Sequence, residues 1–245
     1  FHSLNYKKAF NKFSNIRQLK AQNISQPSTL SYITIDLKTF EKIYIYLQEL
    51  NYANLISHLK LMRNYCRTSF ISMFPQDYDF VLFLSDCISI NDPEVVMLEA
   101  LKLLKKLFIQ QPFVGYFNNS TSKKILISQL SSLLLQQNDT QLSILVLEIF
   151  INFSGETVDE RDLALENLTF DNLFTILKNF ETNQRVKYYA ARLIHNYCRQ
   201  QVGIETGIQI MINYIEVWHM NISTDVKIEL NWSIKHLSSS LDIDW

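Results

Sequence analysis

The chain has 245 residues, 47% apolar and 19% charged, with a net charge of −1. That excludes a disordered chain and gives no global electrostatic pull toward nucleic acid or an anionic membrane. Only four Gly and four Pro occur. A β-sandwich or doubly wound α/β fold needs more turn chemistry than this, whereas helices joined by short polar turns do not, so the expectation is all-α.

Residues 1–20 carry Lys7, Lys8, Lys12, Arg17 and Lys20 among Tyr6, Phe10, Phe13 and Ile16. This is a candidate basic amphipathic helix without the apolar core of a signal peptide. Residues 23–31, polar and containing Pro27, separate it from the rest of the chain. The chain therefore divides into an N-terminal helix and linker, 1–31, and a repeat domain, 32–245. The helix either caps the first repeat, since end units need a distinct outer face, or seeks a partner or a membrane. The chain opens on Phe1, which fits a piece of a longer protein.

Two kinds of helix then alternate. One set is expected near 36–49, 77–90, 121–136, 170–180 and 204–218, with N-caps at Asp36, Ser120 and Asp171. The other set opens on Asn91-Asp92-Pro93-Glu94, Asn138-Asp139 and Ser223-Thr224-Asp225; Pro93 suits a helix start because of its fixed φ and missing N–H. Turns are expected at Phe74-Pro75, from Gln111-Pro112 through Asn119, at Ser154-Gly155-Glu156 and over 201–203. The acidic stretch 156–162 is either a loop or a short helix.

The tetrapeptide Asn-Tyr-Cys-Arg occurs at Asn64–Arg67 and at Asn196–Arg199, 132 residues apart, which divides into three steps of 44. That is the period of a helical solenoid repeat. Lys106, Asn152 and His236 fill the register, with steps of 42, 46, 44 and 40. Around these five anchors the positions ten, six and three before and one after give Asn54, His58, Leu61, Tyr65; Val96, Ala100, Leu103, Leu107; Leu142, Val146, Ile149, Phe153; Val186, Ala190, Leu193, Tyr197; and Val226, Leu230, Ser233, Leu237. Seventeen of the twenty are apolar when Ala and Tyr are counted, and the spacing makes one buried stripe of a helix.

The fifth unit reads Glu229-Leu-Asn-Trp-Ser-Ile-Lys-His-Leu-Ser238 and the third Leu147-Glu-Ile-Phe-Ile-Asn-Phe-Ser154. Both resemble the third helix of an armadillo repeat, with Asn64, Asn152 and Asn196 at the family's Asn and Lys106 and His236 departing from it. The likeness covers residues 36–240, and HEAT repeats share much of it. It implies a right-handed α-solenoid of about five repeats whose third helices line a groove for an extended peptide or a partner helix. The Gly that separates the family's first two helices is mostly missing. Nuclear-import adaptors of this family hold basic signals with Trp/Asn pairs beside acidic residues; only Trp232 matches here.

With that register, the groove pairs are Lys60/Asn64, Lys102/Lys106, Glu148/Asn152, Arg192/Asn196 and Trp232/His236. Four cations against one carboxylate form a basic ladder, and Asn amides suit a peptide backbone because they both donate and accept. The expected partner is a protein segment carrying acidic side chains. Two alternatives are a regulatory solenoid that binds small GTPases, as in formins, and a nucleic-acid-binding solenoid. For the latter, four dispersed cations supply little field.

No phosphate loop, nucleophile elbow or carboxylate pair occurs, so the expectation is a non-catalytic module without cofactor. His195 and His236 lack metal-ligand spacing on their own helices, and His58 reads as a hydrogen-bonded interior residue. Cys66 and Cys198, at equivalent positions, and Cys87 read as core residues. Three unclustered cysteines favour a reducing compartment, the cytoplasm or the nucleus. The longest apolar runs, 80–84 and 144–147, are too short to span a bilayer.

Overall fold

A computed structural model of the chain describes residues 37–68, 79–89, 94–109, 120–136, 139–199 and 202–240. The described residues form eleven helices and no strand. They are α1 (Leu37–Gln48), α2 (Tyr52–Thr68), α3 (Phe80–Ile88), α4 (Glu94–Ile109), α5 (Ser120–Gln136), α6 (Thr140–Ser154), α7 (Val158–Asn167), α8 (Phe170–Lys178), α9 (Gln184–Tyr197), α10 (Ile204–Trp218) and α11 (Thr224–Ser240). None is long and apolar enough to cross a membrane. The expected N-terminal helix, Asp36 and the turns at 74–75 and 111–119 lie outside the described residues.

Short polar side chains start these helices by taking up free backbone N–H groups. Asp79 accepts from Leu82 N at 3.0 Å and Asp139 from Leu142 N at 2.6 Å. Ser223 accepts from Val226 N at 3.4 Å. Thr169 and Asn172 form a reciprocal capping box at α8. The cap there is thus Thr169, and Asp171, expected in that role, sits inside the first turn, where its charge still favours the helix N-terminus. The acidic stretch resolves as the start of α7, capped by Thr157. Helix α1 ends with Leu50 at φ 56°, and Asn51 N bonds back to Tyr46 O at 2.8 Å, a Schellman closure that normally takes Gly.

Helices α2, α4, α6, α9 and α11 pack on one another in succession. A second set lies outside them: α1 on α2, α3 on α4, α5 and α7 on α6, α8 on α9 and α10 on α11. Within this outer set α3 touches α5, α5 touches α7, and α8 touches α10. One continuous apolar cluster runs between the two sets. Edge-on pairs tie neighbouring helices together, Phe108 of α4 on Phe153 of α6 at 5.4 Å and Phe170 of α8 on Tyr197 of α9 at 5.7 Å. Polar links do the same on the outer side: Ser122 to Asp79, Ser85 to Gln129, and Lys123 to Glu160 at 3.0 Å.

The predicted stripes of α4, α6, α9 and α11 are buried at all sixteen positions, Ser233 included, whose hydroxyl donates to Glu229 O at 3.1 Å. The stripe of α2 is displaced. Asn54 is exposed, Leu61 is 44% exposed and His58 is half-buried, while Leu55, Leu59 and Met62 form the core. Among the described residues α2 packs on α1 and α4, and its buried face is the one turned toward them. His58 accordingly rests against Tyr46 and pairs with its own helix, Nδ1 to Asn54 O at 2.8 Å.

Candidate binding face

The inner helices α2, α4, α6, α9 and α11 each turn one stripe to solvent, and all ten residues of the expected groove lie on it. Lys60, Asn64 and Arg192 are exposed; Lys102, Lys106, Glu148, Asn152, Asn196, Trp232 and His236 are half-buried. The i, i+4 spacing that places each pair on one face of its helix accounts for this.

The junctions between neighbouring helices add groups that the repeat register did not include. Arg63 Nη1 lies 2.7 Å from Glu99 Oε2, and Lys102 Nζ donates to Glu99 Oε1 at 2.9 Å. Lys105 Nζ donates to Glu148 Oε2 at 2.6 Å, and Tyr189 Oη donates to Glu148 Oε1 at 3.2 Å. His195 Nδ1 meets Glu229 Oε2 at 2.9 Å. In each of these three junctions the residue just before the anchor of one helix reaches a carboxylate on the next. Between α6 and α9 that position holds Ile151, and Asn196 closes the junction instead. Its Nδ2 donates to Ile151 O at 3.0 Å and contacts Ser154 Oγ at 3.4 Å. Asn196 therefore has its donor engaged inside the stack, and the amide expected to hold a peptide backbone holds the neighbouring helix.

Gly155 ends α6 beside this contact. A Cβ there would sit 3.2 Å from Ile151 O and 3.9 Å from Asn196 Nδ2, so a larger residue would crowd the carbonyl that Asn196 uses.

Over the last three turns of the inner helices the charge balance is wider than four against one. Among the described side chains Lys60, Arg63, Lys102, Lys105, Lys106, the buried Lys187, Arg192 and Lys235 stand against Glu99 and Glu148, with Arg199 just past α9 and Glu229 one residue before this span of α11. Pairing with Glu99 and Glu148 engages Arg63, Lys102 and Lys105, so the excess rests on the remaining cations. Two partners crowd Glu99, whose side chain is 5% exposed. Tyr188 reaches both Arg192 and Glu229, and its ionisation is pushed up first by burial and then by the Glu229 charge.

The C-terminal end of the face gathers aromatic and imidazole rings. His195 stacks on His236 at 5.2 Å and on Trp232 at 6.4 Å, and Lys235 Nζ lies 4.8 Å over the Trp232 ring. Burial holds the His236 imidazole below its ordinary range, with His195, Arg199 and Lys235 adding repulsion. The two histidines that lack metal spacing in sequence do meet in space, yet the described residues contain no cluster of three ligand groups that could hold a metal ion.

Cys198 is buried, and desolvation pushes its thiol up to about 12; Cys87, also buried, is pushed further in the same direction, first by desolvation and then by the Asp86 charge. Such thiols are poor nucleophiles. The side chains of Tyr65, Cys66 and Arg67 lie outside the described residues.

No family model matches this chain, and no curated protein matches it. Among solved structures, the chain is similar to the crystal structure of an engineered protein from a structural genomics consortium. The identity is 14% and the TM-score 0.51, with 84% of this chain and 94% of that one covered. At this identity the similarity concerns the fold alone.

Proposed function

We propose that the chain is an armadillo-like α-solenoid of about five units that acts as a non-catalytic interaction module. In this reading the exposed stripes of α2, α4, α6, α9 and α11 form one groove for an extended protein segment with acidic side chains. The observation that carries it is the cationic excess on the solvent-reaching face of five successively packed helices. A chain of net charge −1 that concentrates cations on one face has an electrostatic footprint there, one that speeds encounter with an anionic partner and selects against cationic ones.

A fluorescein-labelled peptide of alternating Glu and Ser, followed by anisotropy at low ionic strength, tests the reading. We expect saturable binding that Lys102→Glu/Lys106→Glu weakens at least about tenfold, since two attractions become repulsions. Lys124→Glu, on exposed α5 surface, should leave it unchanged. Equal affinity for wild type and the Lys102/Lys106 variant would show that this face is not the site. A single-stranded oligonucleotide bound more tightly than the peptide would move the reading to nucleic acid.

A further inference from the structure

At the α9–α11 junction two imidazoles share one carboxylate. Glu229 Oε2 meets His195 Nδ1 at 2.9 Å, so a proton on His195 is compensated where it sits. His236 stacks on that same ring at 5.2 Å, with 22° between the planes, and among the described residues no carboxylate pairs with it. The groups that face it are cationic or neutral. From α9 come His195 and, just past the helix end, the exposed Arg199. Tyr188 and Arg192, earlier on α9, bond to each other, and Tyr188 also reaches Glu229. From α11 itself comes the exposed Lys235, whose Nζ stands 4.8 Å over the half-buried Trp232. Helix α10 turns its groups elsewhere. Tyr214 Oη donates to Asn231 Oδ1 at 2.7 Å, Trp218 meets Lys227, and Glu216 pairs with Lys178. Asn231 and Lys227 lie on the far side of α11 from His236, and His219 ends α10 beside the opposite end of α11. Among the described residues neither Arg199 nor Lys235 forms an ion pair.

We propose that this part of the face seats one carboxylate of the bound segment among His236, Arg199 and Lys235, and that His236 takes up a proton as the carboxylate arrives. The seat belongs to the groove described under the proposed function and rests on that reading. Its chemistry follows from what the free face lacks. Burial, and then His195, Arg199 and Lys235, hold the His236 imidazole below its ordinary range, so it is neutral near pH 7 in the free protein. A carboxylate placed beside it supplies the counter-charge that Glu229 gives only to His195. Proton uptake and carboxylate binding are then linked, each favouring the other by the same factor. A unit charge about 5 Å from a carboxylate in a water-like surrounding is worth about a fourfold gain in affinity once uptake is complete. The junctions nearer α2 offer no such seat, because Arg63, Lys102 and Lys105 already meet carboxylates of the stack.

The labelled Glu/Ser peptide, followed by anisotropy at pH 7.5 and 5.5 and one ionic strength, tests this together with NMR titration of the imidazoles. The full chain should bind at least about twofold tighter at pH 5.5, where proton uptake is part complete. In His236→Gln the ratio between the two affinities should fall to about one. Saturation with the peptide should raise the titration midpoint of His236 by at least about 0.3 in pH. In the free protein His195→Gln should raise that midpoint too, since it removes the ring stacked on His236 and frees Glu229. Binding that Lys102→Glu/Lys106→Glu weakens, but that does not change with pH, would overturn the carboxylate seat and leave the groove standing. A gain at pH 5.5 that persists in full in His236→Gln would place the proton elsewhere and overturn the seat equally. No binding at either pH would refute the groove, and the seat with it.

Discussion

Replacing Tyr197 with Phe should make the protein more stable. The Tyr197 side chain is 2% exposed, and its hydroxyl has no hydrogen-bond partner among the described residues. A buried hydroxyl without a partner costs about 1–3 kcal/mol of lost hydration. Removing the oxygen leaves a small void that costs up to about 1 kcal/mol, so the net gain is about 1 kcal/mol. The other units support the exchange: Leu107, Phe153 and Leu237 take the same place in the register, each at most 1% exposed. Phe153 shows an aromatic ring without a hydroxyl packing there, edge-on to Phe108, as Tyr197 packs on Phe170. Thermal and urea melts check it, with a rise of about 2–4 °C expected for a chain of this size. A loss of about 1 kcal/mol or more would refute the reasoning and point to a buried water bonded to the hydroxyl. The pH dependence supplies a second readout. Burial raises the Tyr197 hydroxyl above the ordinary tyrosine range and the Cys198 thiol to about 12, with Cys87 raised further. As pH rises past about 8.5 for cysteine and about 10 for tyrosine, the unfolded chain releases protons that the fold retains, so stability falls. Tyr197→Phe should lose the part of that decline that begins near pH 10 and keep the part due to the thiols.

Asn196→Ala should destabilise by about 1–2 kcal/mol, because it removes the donor to Ile151 O at the α6–α9 junction; Asn152→Ala, at a half-buried side chain with no such bond among the described residues, should cost under about 0.5 kcal/mol in the same urea melts. Leu50→Gly should stabilise by about 0.5–1 kcal/mol, since relief of the left-handed φ of 56° outweighs the added entropy of the unfolded chain; a loss on melting would mean that the Leu50 side chain packs after all. At the acid end, His236 is held below its ordinary range first by burial, so its contribution is present above about pH 6.5 and is lost as pH falls through its native value. His236→Gln should flatten that part of the stability profile, which NMR titration of the imidazoles and melts from pH 7 to 5 would read.

Period and composition carried much of the architecture. A stripe repeated near every 44 residues identified the buried faces of α4, α6, α9 and α11, because apolar side chains at i, i+4, i+7 and i+11 share one side of a helix. The same reading failed at α2, where Leu55, Leu59 and Met62 form the core. Cap placement was legible to within a residue or two, as with Thr169 in place of Asp171, since several short polar residues compete for the same backbone donors.

The candidate site was half legible for a related reason. Each helix taken alone shows which residues share a face, so all ten expected positions do reach the solvent side. What one helix does to the next depends on their relative axial offset, which no single-helix pattern encodes. That offset brings Arg63 to Glu99, Lys105 to Glu148 and His195 to Glu229, and it turns the amide of Asn196 into the junction. Helicity and four of the five buried stripes thus follow from the amino-acid order alone, through the periodicity of an α-helix. Only the tertiary structure decided which charges are paired, which Asn is structural, and that α10 presents four isoleucines to solvent, because those outcomes depend on which neighbour each face meets.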